Sequence, residues 1–149
     1  MAILEIGILF MQEPLLETQY YTASHKIDKN LRMNLLHSLD AVTSEAFGEE
    51  LSSFSLGEFT ILMTKRKITE PNNASHTEAL LLYSIIDKET NEKVVKQNMD
   101  IAIGQFLDIY SKNDIFAKKT KKFKDFDDRL KKIFKDLILK NEDRFKSLF

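Results

Sequence analysis

The order in which the hydrophobic period changes along this chain constrains its fold more than any single residue does. Apolar residues alternate twice with the period of a strand, recur once with the period of a helix, alternate through three more segments, and end in two further helical stripes. Strand, strand, helix, strand, strand, strand, helix, helix takes up nearly all of the 149 residues. That order predicts an α/β (α+β) domain of three layers, with helices on both faces of a mainly antiparallel sheet. No internal repeat and no Pro/Gly/Ser-rich linker divides the chain, so residues 1–149 are expected to form a single domain.

Residues 2–11 place Leu4, Ile6, Ile8 and Phe10 on one face and Ile3, Gly7, Leu9 and Met11 on the other. A strand apolar on both faces belongs in the middle of a sheet. Gln12, Glu13 and Pro14 read as a turn, and residues 15–22 as a more polar strand near an edge. Asp28 can cap a helix that runs to about Phe47, with Leu31, Leu35, Leu39, Val42 and Ala46 as its stripe and Gly48 as its stop. Leu36 and Phe47, with Met33 and Thr43 beside them, widen that stripe well round the cylinder.

Strands are expected at residues 51–56 and 59–68, joined at Gly57. A polar loop at 70–78 should lead to a fifth strand at 79–86, again apolar on both faces and therefore central, beside the first. The next helix, at 91–110, has Thr90 or Asn91 as cap and repeats Val95, Met99, Ala102, Ile103, Phe106, Ile109 and Tyr110 on one side. A last helix from about Thr120 aligns Phe123, Phe126, Leu130, Ile133, Phe134, Leu137 and Ile138, and Asn141 interrupts the stripe before Phe145 and Leu148.

Composition narrows the function classes. Hydrophobic residues at 43% and charged residues at 30% lie far from the region of disordered chains. A formal net charge of -1 supplies no whole-molecule field for nucleic acid, which is not expected as a partner. Without cysteine there is no disulfide, thiolate metal site or thiol nucleophile, in keeping with a reducing, cytoplasmic setting. The apolar opening run lacks a preceding basic residue and is interrupted by Glu5, so it reads as a strand and not as a signal peptide.

Catalytic and cofactor motifs are not found. Gly7, Gly48, Gly57 and Gly104 are the only glycines, too few and too scattered for a phosphate loop or dinucleotide fingerprint. His25, His37 and His76 lie in separate segments without metal-ligand spacing. Asp125, Asp127 and Asp128 suit the positive end of a helix better than a cation loop. Asn73-Ala74-Ser75 matches a glycosylation acceptor, a pattern too short to weigh in a cytoplasmic chain. No cofactor and no enzymatic activity are expected.

Two surfaces stand out as candidate binding regions. Lys118, Lys119, Lys121, Lys122 and Lys124 form the one basic cluster, which could give at most weak peripheral contact with an anionic membrane. The third strand, expected at a sheet edge, carries Ser52, Ser53 and Ser55 where charges would otherwise block strand addition. Met33, Leu36, Thr43 and Phe47 of the 28–47 helix would flank that edge. The competing reading is that Leu36 and Phe47 simply complete the core.

With a hairpin, a helix, three strands and two closing helices, the pattern resembles the longin domain family over nearly the whole chain. The ending, with Asp127-Asp128-Arg129-Leu130 and Glu142-Asp143-Arg144-Phe145-Lys146, resembles longin-like proteins of archaea that encode eukaryote-like trafficking components, the Asgard group in particular. The roadblock fold, which opens with a helix, fits less well. The resemblance implies a strand order of 2-1-5-4-3, with one helix on one face and two on the other.

It further implies a non-enzymatic adaptor or scaffold in a small-GTPase-linked or vesicle-trafficking-like assembly. The partner would be a small GTPase, another longin or roadblock-type subunit, or a second copy paired through the third strand and the 28–47 helix. No heptad segment or lipid anchor follows the last helix, so a self-inhibited fusion protein is not expected. The alternative from another class is a small-molecule-sensing α/β domain with a pocket between sheet and helix. An enzyme with an unfamiliar site is a third.

Overall fold

The computed structural model describes residues 3–11, 13–20 and 53–138. They form a mixed α+β fold around one antiparallel sheet, built from β1 (Ile3–Phe10), β2 (Glu13–Gln19), β3 (Ser53–Leu56), β4 (Phe59–Glu70) and β5 (Asn73–Asp87). Hydrogen-bonded neighbours run β2-β1-β5-β4-β3. Helices α1 (Glu92–Ile109), α2 (Lys112–Phe116), α3 (Thr120–Phe123) and α4 (Phe126–Ile133) follow. The helix expected at 28–47 and the turns after residue 138 lie outside the described residues.

Burial explains why β1 and β5 lie together in the middle. All eight residues of β1 are buried, as are residues 80–86 of β5. A backbone that meets no water on either face needs a ladder along both edges. The strand faces differ in one respect from simple alternation. Register passes from Ile3↔Ile86 to Glu5↔Ile85, so Leu4 is an extra residue in β1. This bulge turns Ile3 to the same side as Ile6, Ile8 and Phe10, in the cluster that packs on the helices. Strict alternation had put Ile3 on the opposite face.

The other face is also buried, and it holds a polar pair in an apolar setting. Tyr83 sits opposite Gly7, and its hydroxyl donates a short hydrogen bond to Oε2 of Glu5, both side chains being fully buried. The phenol ring crosses the space that a side chain at position 7 would fill: a Cβ there would lie 2.3 Å from Cε1 of Tyr83. Glycine is thus required at Gly7 by the close approach of the ring.

On the helix side, Phe106 is the hub. Its ring centroid lies 5.2 Å from those of both Phe123 and Phe126 and 4.8 Å from that of Tyr110. The helix expected from Thr120 is not one rod. α3 ends at Phe123, a turn at Lys124 and Asp125 intervenes, and α4 starts at Phe126, yet both phenylalanines reach Phe106. The apolar stripe survives the break, with Phe123, Phe126, Leu130, Phe134, Leu137 and Ile138 all buried.

Two further boundaries differ from the pattern in the sequence. Glu13 and Pro14 belong to β2 and not to the turn, which begins at Met11 with φ 51°. Pro14 is tolerated because β2 is an edge strand, where a missing donor costs no ladder bond. The polar segment 70–78, expected as a loop, instead extends the β4–β5 hairpin to a turn at Pro71 and Asn72. Its polar groups satisfy one another. Thr69 and Thr77 join through their hydroxyls at 3.0 Å, and Asn73 Oδ1 accepts from the Ser75 hydroxyl at 2.7 Å.

Asn91 caps α1, its side chain accepting from the backbone of Lys93 and Val94. Ser111 caps α2 in the same manner, accepting from the Asp114 amide at 3.1 Å. Among the described residues, no helix is long and apolar enough to cross a membrane.

Two outcomes follow for stability. Gly7→Ala should cost about 1–3 kcal/mol, since neither the buried ring nor the strand can yield freely, and chemical denaturation would measure it. Ser84, fully buried between Ile6 and Leu62, has a hydroxyl without a hydrogen-bond partner. Ser84→Ala should therefore stabilise the fold by about 1 kcal/mol, read as a rise in Tm of roughly 2–4 °C.

Candidate protein-interaction edge

The two ends of the sheet differ in kind. β2, at one end, is closed by charge, proline and cross-links. Glu13 Oε1 meets Lys118 Nζ at 3.1 Å, and the Thr18 hydroxyl donates to Asp127 Oδ1 at 2.6 Å, tying β2 to the segment preceding α3 and to α4. Asp127 in turn pairs with Lys131 at 3.4 Å. Devices of this type prevent a second chain from adding to an edge.

β3, at the opposite end, is Ser53-Phe54-Ser55-Leu56. It pairs with β4 along one side through Ser53↔Leu62 to Leu56↔Phe59, and the hydrogen-bonded order ends with it. The strand carries neither charge nor proline. Gly57 makes the sharp return to β4 with φ +61°, a conformation that suits glycine. Ser53 is half-buried and Ser55 exposed, and the Ser55 hydroxyl is 3.0 Å from that of Thr60. Among the described residues no further strand pairs with β3, and Ser53 and Ser55 put no charge in the way of strand addition. Of the six residues predicted at this surface, Ser53 and Ser55 are described; Met33, Leu36, Thr43 and Phe47 lie outside the described residues.

The lysine cluster is largely consumed within the chain. Besides the Lys118–Glu13 pair, Asp114 receives Lys122 at 3.0 Å and Lys119 at 3.3 Å. The hydrogen bond from Lys122 is the main reason the Asp114 carboxyl lies below its ordinary pKa, helped by Lys119 and Ser111. Lys121 and Lys124 are left without an ion pair among the described residues. At roughly 1 kcal/mol per lysine near an anionic surface, two free lysines fall short of stable membrane attachment.

The three aspartates at residues 125, 127 and 128 flank the start of α4, with Asp127 and Asp128 in its first turn. Among the described residues, no group of three acidic or histidine side chains could hold a metal ion. His25 and His37 lie outside the described residues.

His76 has a role that sequence spacing alone did not show. Its Nδ1 is 2.9 Å from Glu70 Oε2 and its Nε2 is 3.0 Å from Glu78 Oε1, and its ring meets that of Phe116 edge-on. The signal was present in the Glu70…His76-Thr77-Glu78 pattern, but only the hairpin extension brings Glu70 back beside His76. These two carboxylates, Glu70 first, raise the pKa of His76 above its ordinary value.

The sequence matches no protein-family model and no curated protein.

The His76 bridge has a defined pH dependence. Because the folded pKa is raised, its stabilisation of the hairpin end is complete below about 6.5 and is lost as pH rises through the folded value. An NMR titration of the His76 ring should give a midpoint above about 6.5, and Glu70→Gln should lower it more than Glu78→Gln. A midpoint at or below the ordinary value would contradict the bridge.

Proposed function

We propose that this chain is a longin-like, non-enzymatic protein-interaction module, an adaptor or scaffold in a small-GTPase-linked or trafficking-like assembly. The observation that carries the proposal is the sheet itself. An antiparallel order of β2-β1-β5-β4-β3, with one end closed by ion pairs and the other an uncharged strand, supports recognition by strand addition at β3. In this reading the 28–47 helix lies beside that strand, and Met33, Leu36, Thr43 and Phe47 line the docking surface with Ser53 and Ser55. The partner is a small GTPase or another longin or roadblock-type subunit. Neither cofactor nor nucleic acid takes part, the chain works in the cytoplasm, and the lysine cluster gives at most weak peripheral contact with an anionic membrane.

On the α1 side of the sheet, Phe106, Phe123 and Phe126 are fully or almost fully buried against one another, which favours this reading over a small-molecule sensor with its pocket on that side.

Affinity capture from native lysate, with the GTP and GDP states held apart, tests the proposal. Nucleotide-dependent recovery of a small GTPase is the expected result, and failure to recover one in either state counts against it. Ser53→Lys with Ser55→Lys should abolish that recovery while leaving the fold intact by circular dichroism, because lysine on an edge strand opposes strand addition. Leu36→Asp with Phe47→Asp should do the same, and unchanged recovery by both variants would show the surface to be wrong.

A further inference from the structure

The outer face of α1 has features that packing within the chain does not account for. Val94, Gln97, Ile101, Gly104 and Asp108 follow one another at spacings of three and four, the spacing of a seam between two helices. Val94 is 41% and Ile101 51% exposed, on the side opposite Val95, Met99, Ala102, Ile103 and Phe106, which are buried. Gly104 lies within the helix at a cost of about 1 kcal/mol relative to alanine. Packing among the described residues does not require it, since a Cβ added there would meet no atom within 4 Å.

The charges at the two ends also lack partners. The first turn holds Glu92, which suits a helix start, and Lys93 beside it; Asp108 lies in the last turn, which contains no basic residue, so its carboxylate opposes the dipole of its own helix. Neither Lys93 nor Asp108 has an ion-pair partner among the described residues.

We infer that α1 is a self-association surface, on which a second copy of this chain packs its own α1 antiparallel about Ile101. A two-fold axis at that residue sets Ile101 against Ile101. It sets Val94 against Asp108 and Gln97 against Gln105, and it places Lys93 of each copy beside Asp108 of the other. Both unpaired charges then meet an opposite charge at once, and the two helix dipoles oppose each other favourably. A parallel pairing would instead put lysine on lysine and aspartate on aspartate. Gly104 allows the backbones to approach closely where Asn98 of the other copy faces it. With a single helix face contributing, the dimer is weak and concentration-dependent. This surface is separate from the β3 edge, so one molecule can use both.

Sedimentation velocity of the full chain over roughly two decades of concentration tests the inference. A reversible monomer–dimer equilibrium is expected. Lys93→Asp alone or Asp108→Lys alone should raise the dimer Kd about tenfold, by turning each attraction into a repulsion. The two changes in one chain should restore it, and mixing the two single variants should give a heterodimer. Ile101→Asp, at an exposed site that leaves the fold intact by circular dichroism, should leave monomer only.

A wild-type chain that stays monomeric throughout overturns the inference, as does a dimer insensitive to Ile101→Asp. Single reversals without rescue by the double variant overturn the antiparallel register. A dimer lost in Ser53→Lys/Ser55→Lys but kept in Ile101→Asp belongs to the β3 edge, which would end this inference and leave the proposed function standing.

Discussion

Pairing of β1 with β5 is the constraint from which the rest of the molecule follows. Both strands lose water on both faces, so every backbone group in their central stretch needs a protein partner. β1 obtains the second ladder from β2 and β5 obtains it from β4. β3 joins beyond β4, at the margin, because the tight turn at Gly57 folds the two strands directly against each other. Polar side chains inside this pair must likewise find each other. The Tyr83 phenol does so by lying across Gly7 to reach Glu5, which makes a glycine, a tyrosine and a carboxylate from two strands into one interdependent unit. Removing any one of the three disturbs the others, because in an interior of low dielectric an unpaired polar group costs more than its hydrogen bond gains.

The helix layer is organised by rings and not by helix length. Phe106 on α1 collects Tyr110 one turn on, and Phe123 and Phe126 from across the interface. Tyr110 meets Phe123 edge-on at 4.9 Å. Lys124 and Asp125 keep right-handed helical backbone angles through the break, so Phe123 and Phe126 stay on the side that faces Phe106. The lysines around it serve the same end: Lys119 and Lys122 converge on Asp114 of α2, and Lys118, at φ 52°, reaches Glu13 of β2. A cluster that reads as a basic patch in one dimension is, in three, a set of ties between α2, α3 and β2.

Elements that bury a face were legible in the sequence, and elements held by polar pairing were not. Val95, Met99, Ala102, Ile103 and Phe106 announce α1 by period alone, and Asn91 its start, because burial and capping are local in sequence; Ile109, which the same period adds to the stripe, is exposed where the helix ends. The doubly apolar runs in β1 and β5 mark the centre of the sheet for the same reason. The hairpin beyond Ile68 could not be read in this way. Thr69 with Thr77, and Glu70 with His76, are contacts across a turn whose residues look like loop in composition. The bulge at Leu4 is similarly silent, since one extra residue leaves the apolar character of the strand unchanged while reversing which face Ile3 joins. At the candidate edge, the small uncharged side chains of Ser53 and Ser55 were visible, and the contrast with β2 was not. That contrast depends on Lys118 and Asp127, which are more than 100 residues from the strand they protect.

A sheet buried on both faces leaves little of itself available for recognition. What remains is its two edges and the outer sides of its helices. β2 is withdrawn from that set by Pro14, by the Glu13–Lys118 pair and by the bond from Thr18 to Asp127. α4 is withdrawn in a different way: the side away from its buried Phe126 and Leu130 is densely charged, which favours water over a partner. Among the described residues, β3 carries neither charge nor proline, and the exposed side of α1 holds Val94 and Ile101 with a lysine near its start and an aspartate near its end. Edge strands cost a protein little to guard, and a single lysine is often enough. β2 is guarded several times over and β3 by no charge of its own, so the two ends of the sheet differ most where a strand could be added.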